Sequence, residues 1–108
     1  MTVFATEPSA FNAANAVTAT ALICNAKGLH ARASAKFVRT AEQFMAEISV
    51  RCRGQTVNGR SIMGLMMLSA SQGTEIEIAA TGKDANQALD AMCALVRSGF
   101  GEENESGK

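Results

Sequence analysis

An α+β open-faced sandwich, with a four-stranded antiparallel sheet covered on one face by three helices, is the fold the sequence predicts. Three observations carry this. Apolar residues alternate with a period of two in several short segments and recur at helical spacing in others. The segments follow one another as β-α-β-β-α-β-α. Glycines or helix-capping side chains stand at the joins. Alternating strands bury one face only, so the helices must gather on that face.

Residues 1–16 are rich in Ala, Asn, Ser and Thr, hold the sole proline at Pro8 and show no period. They read as a flexible leader, with Phe4 and Phe11 as the side chains able to dock. The folded domain is expected over 17–100. Val17, Ala19, Ala21 and Ile23 alternate with Thr18, Thr20 and Leu22 as a first strand. From Ala31 the period lengthens, and Ala33, Phe37, Val38, Ala41, Phe44 and Met45 form a helical stripe with Lys36, Arg39, Glu42 and Gln43 off it.

Glu47 to Arg53 alternates again, with Ile48, Val50 and Cys52 on one face; Gly54 supplies a tight turn and Gln55 to Asn58 returns as a partner strand. Ser61 is placed to cap a short apolar helix from Ile62 to Leu68. Ile76, Ile78 and Ala80 mark a fourth strand. The last helix starts near Asp84, with Gln87 as its capping partner, and its stripe runs Ala85, Ala88, Leu89, Met92, Leu95, Val96 before a glycine stop at Gly99. Residues 101–108 are polar and acidic and read as a frayed tail.

The 108 residues suffice for one core and leave no room for a separate catalytic or cofactor domain. Ten basic side chains balance ten acidic ones, so there is no electrostatic footprint for nucleic acid or an anionic membrane. Cys24, Cys52 and Cys93 are odd in number and far apart, which suits reduced, packed thiols better than disulfides or a zinc site. No apolar run approaches the roughly 20 residues needed to span a bilayer. Met1 to Asn15 shows neither the charged nor the apolar region of a secretory signal. A cytoplasmic domain is the expectation.

The only histidine, His30, lies in Gly28-Leu29-His30-Ala31-Arg32, where strand-like sequence gives way to helix. Free N–H groups and the positive end of a helix dipole favour an anion there, and Arg32 is placed to grip its oxygens. Imidazole changes charge near neutral pH, so a neutral, nucleophilic fraction is present under physiological conditions. The combination points to phosphoryl transfer through a phosphohistidine. A capping or packing role is the alternative reading of an isolated histidine.

A second motif, Asn58-Gly59-Arg60-Ser61-Ile62-Met63-Gly64, opens the second helix. With both motifs on these elements and with this element order, the region from Val17 to Gly99 resembles the HPr family of histidine phosphocarriers, including its nitrogen-branch relatives, in the phosphoenolpyruvate-dependent phosphotransferase system. The resemblance implies that Enzyme I phosphorylates His30 at Nδ1, assisted by Arg32, and that enzyme IIA-type proteins take the group onward. It implies a stoichiometric, monomeric carrier for sugar uptake or its regulation, with no cofactor and no metal. It also marks Ser61 as a regulatory site for a serine kinase and phosphorylase, and Lys36 and Arg39 as contacts for acidic partner surfaces. Ala33 stands where the family carries proline; alanine is a strong helix former, so the helix should persist.

The helix after Ser61 is too apolar to have one buried face. Half of Ile62, Met63, Leu65, Met66, Met67 and Leu68 should be core, leaving Ile62, Met63 and Met66 as an adaptable docking patch. Two other functions compete with sugar-linked transfer: a nitrogen-branch relay, and a docking module controlled through Ser61. A hydrolytic or metal enzyme fits poorly, since one histidine and scattered cysteines offer no ligand set or paired nucleophile and base.

Overall fold

Strands β1 (Val17–Leu22), β2 (Glu47–Cys52), β3 (Gln55–Asn58) and β4 (Glu75–Thr81) form one antiparallel sheet in the order β1-β4-β2-β3. The computed structural model describes residues 9–102. The expectations for residues 1–8 and 103–108, the docking of Phe4 among them, lie outside the described residues. Helices α1 (Ala31–Ala41), α2 (Ile62–Met67) and α3 (Ala85–Arg97) complete the predicted β-α-β-β-α-β-α order and the open sandwich.

The register explains which face is buried. Ala19 stands opposite Ile78, Ile78 opposite Val50, and Val50 opposite Val57, an apolar row facing the helices. The next row out, Thr20, Glu77, Arg51 and Thr56, is polar and points the other way. Its ion pair, Arg51 Nε to Glu77 Oε1 at 2.9 Å, is solvent-exposed and worth at most about 1 kcal/mol. Arg53 and Gly54 both adopt positive φ, as the two-residue turn between β2 and β3 requires. Between sheet and helices, Phe37, Ile78, Val50, Leu65, Met92 and Val96 are fully enclosed.

Several local expectations are corrected. Helix α1 stops at Ala41; Phe44 is half-buried and Met45 is exposed, because the chain must reverse into β2. Asp84 precedes α3 but does not cap it with its side chain, so no capping box forms with Gln87. Its carboxylate instead accepts the Met45 N–H at 2.8 Å and ties the start of α3 to the reversal after α1. Cys24 is exposed rather than packed, its thiol donating to carbonyls at the end of α3.

Residues 9–16, expected without structure, contain a 3₁₀ turn at Ala10–Asn12. Ala10 is buried and its N–H donates to Ser49 Oγ at 2.9 Å, while the Phe11 ring lies 4.0 Å from the Arg51 guanidinium. The small side chains of Ser49 and Ala79 leave a shallow seat on the outer sheet face, and the turn fills it.

Beyond α3, Gly99, Phe100 and Gly101 all have positive φ (70°, 60° and 68°). A phenylalanine in that region is strained, and here its ring is fully buried, so core packing holds the conformation. The chain therefore hooks back toward α1, where Lys36 Nζ, from the middle of the helix, donates to Phe100 O at 2.7 Å.

Candidate functional site

Gly28 sets the approach to the site. It has φ +63°, and a Cβ added to it would lie 2.4 Å from Ala70 O, so only glycine fits. The neighbouring Leu29 N–H donates to that same carbonyl at 2.9 Å, and the Leu29 side chain enters the core. Ser34, buried in the first turn of α1, donates its hydroxyl to Leu29 O at 3.2 Å. These contacts fix the backbone on both sides of His30.

His30 is the N-cap of α1, with extended φ and ψ of −78° and −177°. Its carbonyl accepts the Ser34 N–H at 2.8 Å. Its Nδ1 accepts the Arg32 N–H at 3.3 Å, and its Nε2 lies 2.6 Å from Glu102 Oε2. A carboxylate only accepts, so Nε2 carries the hydrogen and Nδ1 the lone pair; the Arg32 N–H pointing at Nδ1 agrees. The side chains of His30 and Glu102 retain 27 % and 14 % of their exposure, so the ring is held and still reachable.

The second Glu102 oxygen accepts from Asn25 Nδ2 at 3.1 Å, and the same Nδ2 donates to Gly28 O at 2.9 Å. Burial raises the Glu102 carboxyl, but the hydrogen bonds from His30 and Asn25 and the nearby positive charge of Lys36 outweigh it. Its pKa therefore lies below the ordinary carboxylate value.

Ser61 caps α2, its Oγ accepting the Gly64 N–H at 2.9 Å. The turn before it is rigid. Asn58 Oδ1 accepts the Arg60 N–H, and the Arg60 guanidinium donates to Phe44 O at 3.0 Å and Ala46 O at 3.1 Å. Gly59 lies against Ile48, where a Cβ would come within 2.7 Å of its Cγ2. Helices α1 and α2 pack on each other, so His30 and Ser61 begin adjoining helices.

Arg32 is exposed in the first turn of α1, and the buried Ala33 follows it. Arg39 is exposed in the last turn of that helix. Lys36 differs from expectation: it is half-buried and committed to the Phe100 carbonyl, so it is not simply a surface charge. In α2 only Leu65 reaches the core, followed by Leu68 at the C-cap; Met67, at 65 % exposure, joins Ile62, Met63 and Met66 outside, because six residues of helix bury just one narrow stripe.

Glu102 and Asn25 escape the sequence reading. Glu102 falls in the stretch read as a frayed tail, and the only trace of its return is Gly-Phe-Gly directly after a helix. Among the described residues no three metal-ligating side chains come together, and no helix is long and apolar enough to cross a membrane.

Comparisons with known proteins bear on the family and the fold. The family model for the PTS HPr component phosphorylation site matches residues 17–98. Phosphocarrier protein HPr of Neisseria meningitidis is 51% identical over 80 residues, 74% of this chain and 90% of that protein. Phosphocarrier protein NPr of Shewanella violacea is 44% identical over 80 residues, 74% of this chain and 88% of its own. The crystal structure of HPr-C-His from Thermoanaerobacter tengcongensis superposes with a TM-score of 0.77 at 44% identity, covering 81% of this chain and 98% of that one.

Proposed function

The chain belongs to the HPr family of phosphotransferase-system phosphocarriers, and from that premise we propose that His30 Nδ1 accepts a phosphoryl group from phospho-Enzyme I and passes it to enzyme IIA-type acceptors. The observation that carries this reading is the division of labour on the imidazole. Nε2–H is held by Glu102 at 2.6 Å, which leaves the lone pair on Nδ1, at the start of a helix and beside Arg32.

In the transfer, the Nδ1 lone pair forms the new P–N bond as the donor's bond to phosphorus breaks and its electron pair leaves with the donor. The first N–H groups of α1 and the exposed Arg32 guanidinium offset the charge that arrives. The Arg32 N–H contact to Nδ1 is long, at 3.3 Å, and is given up at little cost. Passing the group on reverses these steps, so the protein is consumed and regenerated as a carrier. The exposed Ile62, Met63 and Met66, with Arg39, supply an adaptable docking surface for more than one partner. Similarity to both HPr and NPr relatives is compatible with sugar uptake or with a nitrogen-branch relay.

Ser61 supports a second, compatible role. A phosphate on its Oγ gains from the α2 N-terminus but places about two negative charges beside Ile62 and Met63, where a partner would dock. A serine kinase and phosphorylase acting there would throttle His30 without touching it.

Purified protein is incubated with Enzyme I and labelled phosphoenolpyruvate, wild type beside His30→Ala. Acid-labile, alkali-stable label on wild type alone is expected. A folded wild type that takes no label overturns the carrier reading and favours docking controlled through Ser61.

A further inference from the structure

We propose that Asn25 is a positioning residue for the phosphoryl site, whose buried amide holds the Glu102 carboxylate against His30 and the Gly28 turn beneath it. The proposal rests on His30 being the phosphoryl acceptor and adds how its ring is aimed.

Asn25 retains only 7 % of its exposure, and its Nδ2 has two hydrogens and two acceptors. One is Glu102 Oε1 at 3.1 Å and the other Gly28 O at 2.9 Å. Both acceptors are oxygens without hydrogens, so the amide orientation is forced; the flipped rotamer would set Oδ1 against a carbonyl and a carboxylate. Oδ1 itself is buried and finds no partner among the described residues. The side chain is thus used for its donors alone.

The main chain makes the same turn from the other side. Gly28 N–H donates to Asn25 O at 3.2 Å, and Gly28 O also accepts the His30 N–H at 2.9 Å. One residue therefore ties the loop that carries His30 to a carboxylate 77 positions further along the chain. Without the amide, Glu102 is no longer aimed. The carboxylate swings toward Lys36, whose Nζ lies beside Gly101, and the imidazole loses its Nε2 acceptor.

An aspartate is the same size as asparagine and reverses the interaction, placing oxygen against oxygen at both contacts. Asn25→Asp combined with Glu102→Gln restores the link to the ring but not the bond to Gly28 O, because the glutamine amide donates to the new carboxylate while its carbonyl still accepts from His30 Nε2–H. The wild-type imidazole Nε2–H, shielded by Glu102, should appear as a slowly exchanging resonance in ¹⁵N–¹H spectra of the whole chain. Asn25→Asp should lose that resonance and lower kcat for phosphorylation by Enzyme I about tenfold, with KM unchanged because the docking surface is intact. The double variant should recover the resonance and, because the contact with Gly28 O stays repulsive, only part of the rate.

Asn25→Ser is too short to reach both acceptors and serves if the aspartate variant does not fold; it too should lose the resonance. Retention of resonance and kcat in a folded single variant, or no recovery of the resonance in the double one, overturns the proposal. The Nε2–H signal reads positioning whether or not phosphate is transferred, so an unlabelled wild type would count against the carrier reading alone.

Discussion

Replacing Gly28 by alanine tests whether the His30 loop is held by backbone shape. The left-handed φ of +63° costs an L-residue about 1–2 kcal/mol. The added Cβ lies 2.4 Å from Ala70 O and 2.8 Å from Ser71 Cα, and both are backbone atoms that no side-chain rotation can move aside. Withdrawal of Ala70 breaks the Leu29 N–H bond to its carbonyl, a further loss of about 1 kcal/mol. The sum is about 2–3 kcal/mol, or a fall of about 10–20 °C in Tm for a domain of this size. Gly54→Ala is the internal control, since it carries the same kind of strain at φ +83° with no atom within 4 Å. Thermal unfolding followed by circular dichroism should therefore rank wild type above Gly54→Ala and Gly54→Ala above Gly28→Ala. Slower phosphorylation of His30 should accompany the last. Equal Tm values for the two variants would refute the steric argument, because strain alone would then account for both.

Glu102→Gln probes the carboxylate by pH. The folded pKa of Glu102 lies below its unfolded value, so its stabilisation is present above about pH 4.3 and is lost as pH falls through the folded pKa. Urea midpoints should favour wild type at pH 7 and converge in strong acid; a difference that ignores pH would remove the charge from the explanation. Arg32→Ala should melt like wild type and accept phosphate about a hundredfold more slowly, since its guanidinium is exposed and its proposed work is on the incoming group. An unchanged rate would strip it of that role. Ser61→Ala should lose about 1 kcal/mol from the missing cap without slowing phosphorylation at saturation. Ser61→Asp should raise KM for Enzyme I, and an unaltered KM would show that the start of α2 is not in the interface.

What was legible in the sequence is what periodicity and short-range chemistry can carry. The strands showed because one row, such as Ala19, Ile78, Val50 and Val57, is apolar and its neighbour polar. Ser61 at the start of α2 and Gly99 after α3 were readable because capping is decided within a few residues. Met45 misled because a helical stripe can continue on paper past the point where the chain must reverse. Asp84 misled because a distant N–H at Met45 competed for its carboxylate. The Ala10 turn left no pattern, since its seat on Ser49 belongs to a strand 39 positions away. Glu102 and Asn25 were invisible for the same reason: their bonds span 72 and 77 residues, and no local rule registers a contact that long.

The hook at Gly99-Phe100-Gly101 gives the imidazole a checkpoint. Glu102 meets His30 only in the geometry that a seated Phe100 ring and a docked α3 define. Readiness to carry phosphate would then report completion of the whole domain.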